Sequence, residues 1–458
     1  MSKEMLLAPR EPKEASVLSQ VHRRCLAVGS VAVVCWMIVL HFNWISLGAL
    51  TETVTLAGLT FILLLTAPDW YAKASARLGL GLLVSVAVLA SVFDLPFSLS
   101  AGAGSFDTVI LLLLGIGVMR VYLQEQNVAV LIERALRHQW IASKPRAPFI
   151  IYGGLTFFLS LAVVPLVGTL TRKTSLDYHK HVRTAMRAVG ATMFLLPTTV
   201  GAAAVSVMFP DLSLGQAVLL GAPLALATIM LTRPARPSVE TPRGPALETH
   251  SRPRVGLPLG IFLCVFVVSQ WLLGQTTVTS VALALVIAGT LSLVACFGML
   301  QAIQALQGSF RRSGAEIFLF LACGTFQAAL TGLDLNLLMQ MTPASFKELL
   351  ASASVFSLVI IGGLPLLTIF GIHPMILFAG LFPLLHPFTE VAPAIEYLTW
   401  IAMFVVAQLV SPVSISAVSA ASSIDESTWN VSFVSHGRFA VVFVLFCVIY
   451  FPLITAHA

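Results

Sequence analysis

Charge is what this sequence has least of. Of its 458 residues, 10% are Asp, Glu, Lys or Arg, against roughly a quarter in a soluble domain. Hydrophobic residues make up 58%, and the mean hydropathy is +0.94. A soluble globule cannot hide that much apolar side chain behind so little polar surface. A soluble enzyme, a secreted domain and a disordered regulator are therefore excluded. Motif chemistry is missing too. No Gly-rich loop ending in Lys-Ser or Lys-Thr cradles a nucleotide phosphate, so this chain carries no ATP drive of its own. No His-Glu-x-x-His pair and no cysteine cluster suits a metal. The six cysteines (Cys25, Cys35, Cys264, Cys296, Cys323, Cys447) have no paired spacing and read as small apolar residues. No paired carboxylates lie inside an apolar run, which argues against an intramembrane protease or glycosyl-transfer enzyme. No small-residue cleavage site follows the first apolar run, which is expected to be a true span.

What is present is the pattern of a polytopic all-α membrane protein. A spanning helix needs about 20 mostly apolar residues. Eleven runs qualify, near 26–43, 49–67, 77–93, 107–123, 187–209, 214–232, 257–274, 278–300, 315–331, 397–420 and 437–455. Two further apolar runs, 148–171 and 353–388, are rich in Gly and Pro. The polar, Pro-rich stretch 233–256 predicts a cytoplasmic linker. The stretch 124–146, apolar at helical spacing with basic flanks, predicts an interfacial helix. Asp177, His179, His181, Arg183 and Arg187 predict a solvated charged loop.

The few positive charges then decide the topology. If 148–171 and 353–388 each enter the membrane and turn back, 25 of the 26 Lys and Arg fall on one side, and Lys347 alone falls on the other. The positive-inside rule strongly prefers that arrangement. It gives a multi-pass protein of the cell inner (plasma) membrane with eleven spans, two re-entrant hairpins, a cytoplasmic N-terminus and an outside C-terminus. The net charge of +6 reports these cytoplasmic loops rather than a nucleic-acid partner.

An internal repeat gives the same answer. Gly153-Gly154-Leu155 and Pro165 recur as Gly362-Gly363-Leu364 and Pro374, and Gly115 recurs as Gly324, all at an offset of 209. Pro197-Thr198-Thr199-Val200-Gly201-Ala202 parallels Pro412-Val413-Ser414-Ile415-Ser416-Ala417 at an offset of 215. The matched spans run in opposite directions. The chain divides into residues 1–48 (N-terminus and an extra span), a first inverted repeat 49–232 (hairpin 148–171, broken helix 187–209), the linker 233–256, and a second repeat 257–458 (hairpin 353–388, broken helix 397–420). Inverted repeats with interrupted helices at matching positions are the plan of many secondary transporters, whose substrate sites lie at those interruptions.

Non-helical backbone at membrane depth survives where protein or a wet cavity satisfies it. The candidate site is therefore drawn from the interruptions: Gly153, Gly154, Thr156 and Pro165; Pro197, Thr198, Thr199 and Gly201; Gly362, Gly363, Thr368, His373 and Pro374; Pro412, Ser414 and Ser416. Half-helix N-termini suit an anion. Hydroxyls and freed carbonyls can hold Na⁺ or bond a carboxylate. The competing reading of the hydroxyls is close helix packing. His373 has Val164 as its repeat counterpart, so it breaks the symmetry as a proton-coupling group would. Glu52, Asp107, Glu316 and Glu396 lie near span ends and read mainly as cap or interface residues.

This arrangement resembles the ion transporter superfamily, whose best-known branch is the divalent anion:sodium symporters. The likeness is architectural and covers nearly the whole chain. The Ser-Asn-Thr hairpin motifs of the dicarboxylate branch are absent, with Gly-Gly-Leu-Thr and Gly-Gly-Leu-Pro in their place, which points to a divergent branch. The resemblance implies hairpins and broken helices that form a transport domain, moving as an elevator against a scaffold that often dimerises. It also implies a carboxylate-like or other anionic substrate driven by Na⁺ or H⁺. The expectation is a secondary active transporter of a small organic anion, with no cofactor beyond a coupling ion and with a homodimeric assembly. The alternatives are an efflux permease for a drug or toxic anion, the membrane subunit of a carrier served by a periplasmic binding protein, or a lipid-linked-sugar flippase or membrane enzyme.

Overall fold

A computed structural model describes residues 17–42, 49–93, 95, 97–128, 132, 144, 146–173, 178–232, 256–333 and 343–455. Residues 233–255 of the expected linker, most of the expected interfacial helix 124–146, Asp177 and the side chain of Lys347 lie outside the described residues. Among the described residues all regular structure is helical. Ten stretches are long and apolar enough to cross a bilayer.

The first half contains α1 (Val17–His41), α2 (Ala49–Trp70), α3 (Ala74–Phe93), the short α4 (Leu99–Ser105) and α5 (Asp107–Glu125). It continues with α6 (Ala147–Leu159), α7 (Val163–Lys173), α8 (Tyr178–Met193), α9 (Val200–Val207) and α10 (Leu214–Leu231). The second half contains α11 (Gly256–Val267), α12 (Thr277–Phe297), α13 (Met299–Thr331), α14 (Ala344–Ala351) and α15 (Ala353–Ser357). It ends with α16 (Leu364–Ile369), α17 (Pro374–Leu385), α18 (Pro393–Val410), α19 (Ile415–Ile424) and α20 (Ser435–Thr455).

Sequence counting gives eleven spans, and the difference from ten has physical causes. The run 187–209 is cut into α8 and α9, neither long enough to cross alone. The run 257–274 ends in a π-helical turn at Val268–Leu272 and is too short. The run 147–171, expected as a hairpin, meets the length criterion. The supposed charged loop is also corrected: His179, His181, Arg183 and Arg187 belong to α8. Arg187 is buried because Ser435 and His436 accept its guanidinium N–H groups at 3.3 and 3.2 Å and the ring of Phe439 lies 4.4 Å beneath it.

Two hydrogen bonds reveal chain reversals. α8 starts five residues after α7 ends and packs along it, so the two run antiparallel. A straight helix from 147 to 173 would place Tyr152 about 27 Å of axis away from His181, at 1.5 Å per residue. Yet Tyr152 Oη lies 2.7 Å from His181 Nδ1. The chain therefore turns back near Ser160, whose φ of 47° and ψ of −131° interrupt the helix. In the second half, Ser411 Oγ donates to the carbonyl of Thr368 at 2.9 Å, so the end of α16 meets the end of α18. Phe378 contacts Trp400 and Phe404, Phe382 contacts Trp400, and His386 meets Glu396. Those pairs run in opposite order, so α17 is antiparallel to α18 and the chain reverses at Phe370–His373, where Gly371 has φ +99°. The Gly362-Gly363 pair sits elsewhere, in a π-helical turn (Leu358–Gly363) just before Pro365. Pro365 has no N–H to continue the α-helical ladder, a usual cause of such turns.

Polar contacts join several residues that the charge count assigns to one side. Arg311 pairs with Asp69 at 3.4 Å and Lys73 Nζ donates to the Arg312 carbonyl at 2.7 Å. Gln307 reaches the Arg23 carbonyl, Gln301 reaches Glu125, and His179 meets Glu426 at 3.5 Å. Asp69, Lys73, Glu125 and Glu426 lie at helix ends or turns, and Gln301, Gln307, Arg311 and Arg312 lie in the first half of α13. On the other face His41 contacts Thr108 at 3.0 Å and Asp107 at 3.8 Å.

Candidate functional site

Both broken helices restart with the same device. Thr199 accepts a hydrogen bond from Ala202 N at 3.4 Å and Ser414 accepts one from Ala417 N at 3.2 Å. These N-caps satisfy N–H groups that a helix start leaves without partners. Both pairs are related by the offset of 215. A third helix start, α17, is capped by His373, whose Nδ1 accepts from Met375 N at 3.2 Å.

The three starts meet at one cavity of about 250 Å³. Its wall takes Ser160, Leu161 and Ala162 from the first reversal and His373, Pro374 and Met375 from the second. Met193, Val200 and Gly201 come from the first broken helix, and Gln408, Ser414, Ile415 and Ser416 from the second. Ser75, Arg120, Arg312, Ser313 and Glu316 line it from the positive face. Leu113, Ile116, Leu319, Phe320 and Phe404 make it largely apolar, with few polar groups, as small-molecule sites are. Ser414 and Ser416 both donate to the Gln408 carbonyl, at 2.8 and 3.1 Å. The buried Gln408 Nε2, Ser160 Oγ and one oxygen of Glu316 have no protein partner.

Of the residues singled out in the sequence, Gly201, His373, Pro374, Ser414 and Ser416 line this cavity, and Thr199 caps the helix that bounds it. Thr198 is buried beside Thr199 with an unpartnered hydroxyl. Pro165 lines a neighbouring cavity of about 250 Å³ that shares Arg120 and Ala162 with the first. Pro197 lines a small pocket next to Phe209 and Tyr397. Gly153, Gly154 and Thr156 lie within α6, where Thr156 returns its hydroxyl to the Tyr152 carbonyl. Gly362, Gly363, Thr368 and Pro412 do not line the cavity, and Thr368 bonds the Pro365 carbonyl.

Sequence reading missed Arg120, Arg312 and Gln408 as lining residues, and it placed Glu316 at a span end; Ser160 falls within the hairpin run 148–171 that it singled out. Glu316 is well inside α13, because that helix begins at Met299 and not near 315. The available signal was Arg312 and Glu316 four residues apart, the spacing that puts two side chains on one helix face. On the opposite face, His386 lies just beyond α17 and Glu396 is buried at the start of α18, 2.9 Å apart. The Glu396 hydrogen bond holds the His386 imidazole above its ordinary range against the opposing effect of burial.

No protein-family model matches the chain, and no curated protein matches it in sequence. Among solved structures the chain is similar to the YdaH transporter of Alcanivorax borkumensis, described as having an unusual topology. The TM-score is 0.51 at 14% identity, over 88% of this chain and 97% of that one. At that identity the likeness is one of fold: this chain has a multi-pass, all-helical fold shared with a membrane transporter.

Proposed function

We propose that the protein is a secondary active transporter of a small organic, carboxylate-like anion, coupled to Na⁺ or H⁺. The observation that carries this reading is the convergence of three capped helix starts and two arginines, Arg120 and Arg312, on one cavity. Helix N-termini carry partial positive charge and free N–H groups, and guanidinium groups fit carboxylates in a fork geometry. The cavity's size favours a small metabolite. The two chain reversals serve as re-entrant hairpins. Together with the broken helices they form the moving part of an elevator, carried against a scaffold that dimerises. The fold shared with a transporter supports the transport reading, and the clustering of basic loops on one face supports a cytoplasmic N-terminus.

The test is uptake of labelled mono- and dicarboxylates into proteoliposomes under separate Na⁺ and pH gradients. Arg120→Gln and Arg312→Gln should each raise KM at least tenfold, the loss expected for a charged hydrogen bond to a carboxylate. Uptake at wild-type KM in both variants overturns the site. Cysteines placed at 175 and 390 should label from opposite sides of the membrane, and labelling from one side overturns the hairpin topology.

A further inference from the structure

The cavity holds two titratable groups besides its arginines, His373 and Glu316, and they are not equally free to take a proton. His373 Nδ1 accepts the Met375 backbone N–H at 3.2 Å. A backbone N–H can only donate, so Nδ1 must stay unprotonated for α17 to keep its cap. Protonating both ring nitrogens breaks the cap of a helix start that bounds the cavity. Glu316 carries no such duty, since one of its carboxyl oxygens is buried without a hydrogen-bond partner. Four residues back on the same helix face is Arg312, and Arg120 lies across on α5, both lining the same cavity.

The other groups around Glu316 are accounted for. Lys73, at the α2–α3 turn, acts on its charge while donating to the Arg312 carbonyl. Ser75 and Ser313 line the cavity beside it, and Asp69 is engaged by Arg311. Among the described residues Glu316 is therefore the one carboxylate in the cavity wall. When ionised it offsets the positive charge that Arg120 and Arg312 present. When protonated it leaves both arginines to an incoming anion and offers an O–H to it.

We infer that Glu316, and not His373, is the group through which anion binding is linked to uptake of one proton. The inference rests on the anion-carrier reading above and specifies its coupling ion. The step is a binding equilibrium: one proton moves from solution to the Glu316 carboxylate as the anion enters, and no covalent bond to the anion forms or breaks. Anion and proton then occupy the cavity together, which makes the coupling symport.

The experiment uses formate and lactate, both ionised throughout the tested range, as carboxylate probes on the purified full-length protein, with thermal shift and calorimetry at about pH 5.5 and pH 8. Wild-type protein should bind about tenfold more tightly at the lower pH, within the usual range of coupling between two ligands, and should take up close to one proton per anion in weakly buffered solution. Glu316→Gln mimics the protonated acid. It should bind equally at both pH values, at the low-pH wild-type affinity, with no proton uptake. Glu316→Asp should restore the slope. His373→Asn, which keeps a capping side chain, should retain the slope whatever its absolute affinity. A pH slope that persists in Glu316→Gln, or that vanishes in His373→Asn, overturns the inference. Binding that is independent of pH in the wild type overturns it while leaving the carrier reading intact. Absence of wild-type binding to either probe at both pH values overturns both.

Discussion

Gly190 in α8 meets Val405 in α18 so closely that a Cβ on Gly190 would lie 2.9 Å from Val405 Cγ1. The two positions differ by 215, the same offset that relates Thr199 to Ser414. The two broken helices thus cross at equivalent points, as they must if a pseudo-two-fold axis passes between them. The crossing fixes where the two cavity-bounding breaks sit relative to each other.

The crossing predicts a specific cost. Gly190→Ala gains up to about 1 kcal/mol of helix propensity but forces a methyl into a packed contact, which costs roughly 1–3 kcal/mol. The net expectation is modest destabilisation. Gly190→Val should be clearly worse, and Val405→Ala should rescue Gly190→Ala. Thermal unfolding of wild type, the three single variants and the Gly190→Ala/Val405→Ala double variant in detergent checks this, and additivity between the two sites would mean that the residues do not touch.

The paired caps predict an ordered pair of losses. Removing an N-cap hydroxyl costs about 1 kcal/mol. Thr199→Ala loses a long bond of 3.4 Å to Ala202 N. Ser414→Ala loses a shorter one of 3.2 Å to Ala417 N and also its 2.8 Å donation to Gln408 O, which adds about 1 kcal/mol. Ser414→Ala should therefore be the more destabilising in denaturant unfolding, and both should slow carboxylate uptake.

The His386–Glu396 pair predicts a dependence on pH. Glu396 raises the folded-state pKa of His386 above its ordinary 6.5. The stabilisation is therefore whole below about pH 6.5 and is lost as pH rises through the raised folded value. Wild-type protein should have a higher Tm than Glu396→Gln at about pH 6, and the gap should narrow toward pH 9. Because the His386 side chain is 53% exposed, solvent screening keeps the effect small. A gap that widens with pH would contradict the assigned direction.

How much of this was legible depends on where each residue's partners come from. The Gly-Gly-Leu pairs and the two Pro-centred breaks advertise themselves within a few residues, and the basic loops need only counting. Ser160 and the Phe370–His373 turn lie inside the two Gly- and Pro-rich apolar runs, 148–171 and 353–388, that were legible as irregular. Arg187 was misread because the groups that satisfy it, Ser435, His436 and Phe439, come from about 250 residues away. Glu316 was misplaced because α13 runs through Arg311 and Arg312 instead of starting after them. Its place in the cavity exists only once α5, α13 and both reversals are assembled.

Ser160 yields the sharpest separation of stability from function. Its φ of 47° and ψ of −131° lie where glycine is comfortable and other residues are strained by about 1–3 kcal/mol. Its hydroxyl is buried without a partner, a further cost of about 1–3 kcal/mol. Ser160→Gly removes both penalties and gives back roughly 0.5–1 kcal/mol of chain entropy, so it should raise the Tm. Ser160→Ala removes the hydroxyl and keeps the strain, so it should raise the Tm less. If that hydroxyl bonds the anion of the proposed carrier, both variants should lose carboxylate affinity to a similar extent. Equal affinity in wild type and Ser160→Ala, alongside a stabilised Ser160→Gly, would instead make Ser160 a strained turn with no part in binding. Measuring Tm and KM on the same three proteins decides between them, because the two effects move in opposite directions only if the hydroxyl is used.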